Sequence, residues 1–208
     1  TGTLVHWRPD LEVFTDIRIP REFFVDTIKR QSVVNAGITF ILKYQEADGK
    51  FTDYKFFYEN GISDYINELV GDTAMTQPVL WHLETQGRDR PDKKEYKLKA
   101  DVSFCVSNTV NALEYYHNSS FLEHGGSPDK AVKVAFVYAL DKYIKNSGKY
   151  NKNESKITFV DVSDCLLLVS NSFSTATSYA NQTKKAITNE FIYEAMTEFL
   201  KKNREIYF

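Results

Sequence analysis

Apolar positions along this chain change their spacing several times, and each change predicts an element. The strictest pattern has a period of two. Tyr96, Leu98, Ala100, Val102, Phe104 and Val106 alternate with Lys97, Lys99, Asp101, Ser103 and Cys105, which predicts a strand with one face on a core. Residues 113–117 are expected to form its neighbour. A β-branched and aromatic run at residues 3–7 predicts a further short strand. Pro20 sits where a helix can begin, with Phe23, Phe24, Thr27, Ile28 and Val34 following at helical spacing and Asn35-Ala36-Gly37 closing it. Residues 38–44 and 51–58 read as two strands, and Asp48-Gly49 between them favours a hairpin.

Ser63 is the expected cap of a short helix bearing Tyr65, Ile66, Leu69 and Val70. Residues 71–77 read as a loop and residues 86–94 as a charged turn. Gly125-Gly126 interrupts the chain, and Ser127-Pro128-Asp129 then opens a helix with Ser127 as its cap. The apolar face of that helix is Val132, Ala135, Phe136, Ala139, Leu140 and Tyr143. A polar, basic loop at residues 146–155 leads to strands at 157–160 and 165–170. After a small, polar stretch at 172–182, a last helix is expected from about residue 185, with Ile187, Phe191, Ile192, Met196, Phe199 and Leu200 on one face. Strands and helices alternate without a βαβ rhythm, so the expected class is α+β, in two segments dividing within residues 60–75.

Composition narrows the classes. A chain of 208 residues with 42% hydrophobic and 26% charged residues has the make-up of a globular protein, not of a disordered or disulfide-stapled one. Its longest apolar runs, such as residues 165–169, are too short to span a bilayer. A net charge of −2 argues against binding that rests mainly on nucleic-acid phosphates. Cys105 and Cys165 read as two buried free thiols, which suits a reducing compartment and predicts a cytoplasmic location. The chain begins Thr1-Gly2-Thr3 without an initiator Met, and its last apolar face runs close to the end; both predict a fragment of a longer protein.

Chemistry is sparse. His6, His82, His117 and His124 lack the spacing of a metal motif, and neither a P-loop nor a nucleophile elbow is present. Asn181-Gln182-Thr183-Lys184 falls just before the last expected helix, where free N–H groups, a Lys charge and a Gln amide together suit a phosphate. The same tripeptide also reads as an ordinary helix start. Lys142, Lys145, Lys149, Lys152 and Lys156 read as a solvated face, with local DNA contact as the alternative.

Taken in order, five stretches resemble one family. They are Thr1-Gly2-Thr3 with the following residues to Phe14; Val34-Asn35-Ala36-Gly37; Tyr58-Glu59-Asn60-Gly61-Ile62; Asn118 through Gly125-Gly126-Ser127; and Asn181-Gln182-Thr183-Lys184 with Ile187 and Glu190. These resemble, in the same sequence and at similar separations, the "TGT…F", "LN.G", "YEGGI", "NN…GGTH" and "QTK…L…E" stretches of the DNA gyrase B family and its topoisomerase IV counterpart. The resemblance implies an ATP-driven type II topoisomerase. Residues 1–65 would be the carboxy-terminal part of a GHKL ATPase domain, and residues 66–208 a transducer domain with a ribosomal-S5-like fold ending in a long helix.

The resemblance implies roles as well. Gly2 and Thr3 match the last ATP-site motif, where the Thr joins the polar network around adenine. Gln182 and Lys184 match the loop that reaches the γ-phosphate of ATP, with Lys184 neutralising charge during phosphoryl transfer. The general base and the Asn that binds Mg²⁺ belong to an upstream part of the ATPase domain, so this segment alone is expected to be inactive. The implied partners are a second copy of the gyrase B chain, the gyrase A or topoisomerase IV A chain, and double-stranded DNA, without a membrane.

Some positions depart from the family pattern. Gly125-Gly126 is followed by Ser127-Pro128, "YEGGI" has Asn60, the "EGL" stretch reads Asp164-Cys165-Leu166, and Thr175-Ala176-Thr177-Ser178 lacks the family's Pro. These departures leave a second reading, a non-catalytic interaction module that kept the fold without nucleotide coupling. A third, an S5-like RNA-binding domain, leaves the first sixty residues unexplained and sits poorly with the acidic balance.

Overall fold

The computed structural model describes residues 2–203. Its elements are α1 (Arg21–Val34), β1 (Phe40–Gln45), β2 (Phe51–Phe56), α2 (Ile62–Val70), β3 (Val79–Gly87), β4 (Tyr96–Val106), β5 (Ala112–His117), β6 (Ser120–Phe121), α3 (Ser127–Asn146), α4 (Phe159–Ser163), β7 (Leu166–Ser174) and α5 (Glu190–Asn203), with a 3₁₀ turn at Gly71–Thr73. The class is α+β, as expected. β1 and β2 form the expected hairpin, with Phe40 opposite Phe56, and Gly49 takes a φ of +82° in the turn.

The other five strands form one sheet in the order β3-β4-β7-β5-β6. β4 runs antiparallel to β3 and β7, and β7 runs parallel to β5. On one face, Leu98, Val102 and Phe104 of β4 and Leu168 of β7 pack against Val132 and Phe136 of α3 and Ile192, Met196 and Leu200 of α5. Phe104 meets Trp81 and Phe136 edge-on, with ring centres 4.8 Å and 5.1 Å apart. On the other face, Cys105, Leu167, Val169 and Tyr116 pack under Ile62, Tyr65, Ile66 and Val70 of α2, joined by Val33 of α1 and Tyr58. This second cluster is continuous across residue 65. α2 covers only part of its face, and β4 records the limit: Lys97 and Lys99 are exposed, whereas Val102 through Cys105 are buried on both sides.

Polar contacts tie the first sixty residues to the sheet. Gln31 donates to the Ser119 carbonyl at 2.9 Å, and the Asn171 amide to the Val34 carbonyl at 3.4 Å. Lys29 pairs with Glu68 at 2.7 Å, and the Tyr58 hydroxyl donates to the same carboxylate at 2.7 Å. Burial alone would raise the Glu68 pKa, but the hydrogen bonds from Lys29 and Tyr58 outweigh it and hold the carboxylate below its ordinary value.

Several expectations are corrected. Residues 3–7 form no strand; among the described residues no other strand pairs with them, and β-propensity yields a strand only where a neighbour completes the ladder. The neighbours of β4 are β3 and β7, while β5 pairs with β7 and β6. β3 is not legible as a strand in the sequence because apolar Leu80 interrupts its alternation. Residues 157–160 are not a strand: Thr158 and Asp161 cap each other reciprocally and start α4. Ser63 and Ser127 make no helix-cap bond; Gly61 and Gly126 occupy the cap positions. The last helix begins at Glu190 rather than near residue 185, and Ile187 lies ahead of it in isolated bridges to Gly126 and Tyr179. Both cysteines are free; Cys105 is buried and Cys165 half-buried. Thr1 lies outside the described residues.

Candidate functional site

Residues 175–189 link β7 to α5 and carry Gln182 and Lys184. The segment doubles back on itself as a short stem. The Ala180 amide donates to the Ala186 carbonyl at 2.9 Å, and the Thr188 amide to the Ser178 carbonyl at 2.8 Å. The five residues between the arms form the tip. Within it the Thr183 hydroxyl donates to the Asn181 side chain at 2.6 Å, and the Lys184 amide to the Asn181 carbonyl at 3.3 Å. Lys184 takes a φ of +57°, uncommon for a residue with a side chain. Gln182, Thr183 and Lys184 are exposed. The Lys184 ammonium lies 5.6 Å from the centre of the Tyr179 ring, and among the described residues no carboxylate pairs with it.

The stem is fastened at three places. The first is the Gly125-Gly126 turn ahead of α3. The His124 amide donates to the Lys185 carbonyl at 2.9 Å, the Ser127 amide to the Ile187 carbonyl at 2.9 Å, and Lys185 pairs with Glu123. Gly126 has a φ of +101°, and a Cβ there would stand 2.1 Å from the Ile187 carbonyl oxygen. Gly125 thus closes the turn at residues 122–125, and Gly126 is the seat of the loop. The Ser127 hydroxyl adds a bond to the same carbonyl at 3.3 Å.

The second fastening is a buried polar cluster at the ends of β5 and β7. His117 is fully buried. The Ser172 hydroxyl donates to the Tyr116 carbonyl at 3.0 Å, so it accepts from Nδ1 of His117 at 2.8 Å. The Ser174 hydroxyl donates to the Ala176 carbonyl at 2.8 Å, and the Ser174 and Thr177 hydroxyls each lie 3.0 Å from Nε2. Burial lowers the ring's pKa to about 4, which favours the neutral form with its proton on Nδ1 and leaves Nε2 to accept from Thr177. Asn118 completes the cluster by donating to the Ser174 carbonyl at 3.2 Å and accepting from the Ser174 amide at 3.0 Å. The third fastening runs through Asn189, at the start of α5, to the β3–β4 turn.

One expectation about this site is overturned. Gln182 and Lys184 do not lie at the amino end of the last helix. Residues 185–189 separate them from α5, and an α5 amide, that of Phe191, is taken by Asp89 at 2.9 Å. Any anion at the tip is met by side chains and local backbone, without help from the helix dipole. The donors present still fit a terminal phosphate: one unpaired cation and one neutral amide, both exposed on a braced turn. Thr3 is exposed in the irregular segment before α1, and among the described residues no hydrogen bond joins it to Gln182 or Lys184. The described residues hold no group of three His, Cys, Asp or Glu placed to bind a metal, and no helix among them is long and apolar enough to cross a membrane.

Sequence reasoning missed His117, Asn118, Asn189 and Asp89. Each acts through partners 50 to about 100 residues away, and no local pattern announces that.

Comparison with known proteins shows the family. Residues 61–208 match the family model described as DNA gyrase B. The DNA gyrase B chain of Metamycoplasma arthritidis is 24% identical over 98% of this chain and 33% of its own length. That of Streptococcus pyogenes serotype M1 is 24% identical over 99% of this chain and 32% of its own length. The chain thus spans about a third of the length of these two relatives. The B-subunit of the DNA gyrase from Myxococcus xanthus superposes with a TM-score of 0.70 at 16% identity, over 93% of this chain and 58% of that one. The topoisomerase IV ATP-binding domain of Francisella tularensis superposes with a TM-score of 0.67 at 20% identity, over 96% and 51%. With the family model covering residues 61–208, this chain belongs to the DNA gyrase B family.

Proposed function

We propose that this chain is the transducer segment of the B chain of an ATP-dependent type II DNA topoisomerase, and that its 175–189 loop senses the γ-phosphate of ATP. Residues 1–65 are read as the end of the ATPase domain and residues 66–208 as the transducer. The observation that carries the reading is the exposed Gln182–Lys184 tip on a stem fastened at three separate places. A lysine with no ion pair among the described residues, held on a braced turn, suits a ligand better than it suits the fold.

Lys184 supplies a point charge to the terminal phosphate, and Gln182 supplies a neutral donor that orients it. The bound nucleotide supplies the phosphoryl group whose loss changes what Lys184 faces. Thr3 is assigned to the adenine network. Mg²⁺ and the general base are assigned to residues outside this chain, so the chain alone does not hydrolyse ATP. With the phosphate present the tip is held, and without it the tip is released. The stem carries that difference to α3, to the sheet and to α5. The switch works because the held and released arrangements differ in affinity for the terminal phosphate. A second copy of the B chain, the gyrase A or topoisomerase IV A chain, and double-stranded DNA are the partners this role requires.

The alternative of an interaction module without nucleotide coupling loses force at Gly126 and Ser127. Both seat the loop at Ile187, and the retained Gln182 and Lys184 stand on that seat. The test is DNA-stimulated ATP turnover by the full-length parent, wild type against Lys184→Ala. A loss of about a hundredfold with the fold intact supports the reading. Unchanged turnover overturns it.

A further inference from the structure

Asn189 lies where the loop becomes α5, and it is 2% exposed. Its side-chain oxygen accepts from the Ser178 amide at 2.8 Å, in the opposite arm of the stem. Its side-chain nitrogen is within reach of Asp89 Oδ2 at 3.1 Å, the Tyr96 hydroxyl at 3.0 Å and the Ala176 carbonyl at 3.4 Å. Asp89, from the β3–β4 turn, accepts at Oδ1 from the Tyr96 hydroxyl at 2.7 Å and from the Phe191 amide at 2.9 Å. The Phe191 amide belongs to the first turn of α5, which needs acceptors from outside the helix. Asp89 supplies one from 102 residues away in sequence. Asn189 would ordinarily cap its own helix, but its side-chain oxygen is turned to the loop instead.

Two of the three fastenings hold the stem to the sheet and to α3. Among the described residues, the third brings side-chain bonds from the β3–β4 turn to both the stem and the start of α5. Asp89 is half-buried and accepts three hydrogen bonds, so parting the loop from α5 gives up charge-assisted bonds that hold both. The stem and the start of α5 are therefore held as one body.

We infer that Asp89 and Asn189 are positioning residues for Lys184, forming the joint through which the loop tip and α5 move together. The inference rests on the reading of Lys184 as the γ-phosphate contact, and it adds two residues that touch neither nucleotide nor Lys184. The tip makes few contacts of its own, so its aim is set by its stem. Loosening the joint should weaken the hold on a γ-phosphate while sparing ligands that lack one.

The experiment measures binding of an ATP analogue with an imido bridge between the β- and γ-phosphates, and of ADP, to the full-length parent. Four forms are compared: wild type, Lys184→Ala, Asn189→Asp, and the exchange Asp89→Asn with Asn189→Asp. Asn189→Asp changes no volume but sets two carboxylates about 3 Å apart where an amide now donates. The expected result is a loss of about tenfold in affinity for the analogue with ADP affinity unchanged, and recovery of most of that loss in the exchange. Unchanged ADP affinity reports that the protein is folded. If Lys184→Ala weakens the analogue alone and Asn189→Asp does not, the joint is overturned and the γ-phosphate reading stands. An equal loss for both ligands in Asn189→Asp, unrelieved by the exchange, assigns the pair to stability only and also overturns the joint. If Lys184→Ala leaves the analogue unchanged, the γ-phosphate reading fails and the joint falls with it.

Discussion

The carbonyl of Ile187 rests on the Cα of Gly126, close enough that a Cβ at residue 126 would stand 2.1 Å from its oxygen. Gly126 also has a φ of +101°, which disfavours every residue with a side chain. Gly126→Ala therefore combines backbone strain with a clash against rigid backbone. Chemical denaturation should show a loss of about 3 kcal/mol or more. Gly148→Ala is the matched control. Its φ is +61°, but a Cβ there meets nothing within 4 Å, so it should lose only about 1 kcal/mol. Equal losses at the two sites would show that the seat beneath the loop is not tight.

His117 predicts a pH dependence of stability. Its folded pKa, lowered to about 4 by burial, lies below the ordinary value of 6.5, so the folded state favours the neutral ring. The sign follows: the stabilisation is complete above pH 6.5 and drains away as the pH falls towards 4. Between pH 6.5 and 4.5 the loss should be about 2 kcal/mol. Carboxylates held below their ordinary values, such as Glu68, add a loss of the same sign only below about pH 4.5. Unfolding measured at intervals from pH 7 to 4.5 should show the slope in wild type and its absence in His117→Gln. A slope that survives the substitution would assign it elsewhere.

The isolated 208-residue chain should not turn over ATP, because the base and the metal-binding residue are assigned outside it. A coupled phosphate-release assay with excess ATP checks this. Detectable turnover that Lys184→Ala abolishes would show that the chain carries a complete site.

Much of this fold is legible in the chain, and the exceptions share a cause. The period of two in β4 and the apolar faces of α3 and α5 survive because each element presents one stripe to one core. β3 is harder to read because Leu80, half-exposed on the outer face, breaks its alternation. Residues 157–160 have strand-like composition, yet Thr158 and Asp161 override it with a reciprocal cap three residues apart. Strand order could not be read, since β5 finds β7 across the whole of α3 and α4. At the site, Gln182 and Lys184 stand out as a short motif. Their supports do not: Asp89 reads as one more charge in a polar turn, and His117 as an ordinary strand end, until the fold sets each beside its partners.

The central claim, that Lys184 meets the γ-phosphate, is tested most directly by two crystal structures of the full-length parent, one with the imido ATP analogue and one with ADP. The account predicts Lys184 Nζ about 3 Å from a γ-phosphate oxygen in the first, and a displaced tip in the second. A tip in the same place in both structures, with Nζ remote from the phosphate, would contradict it.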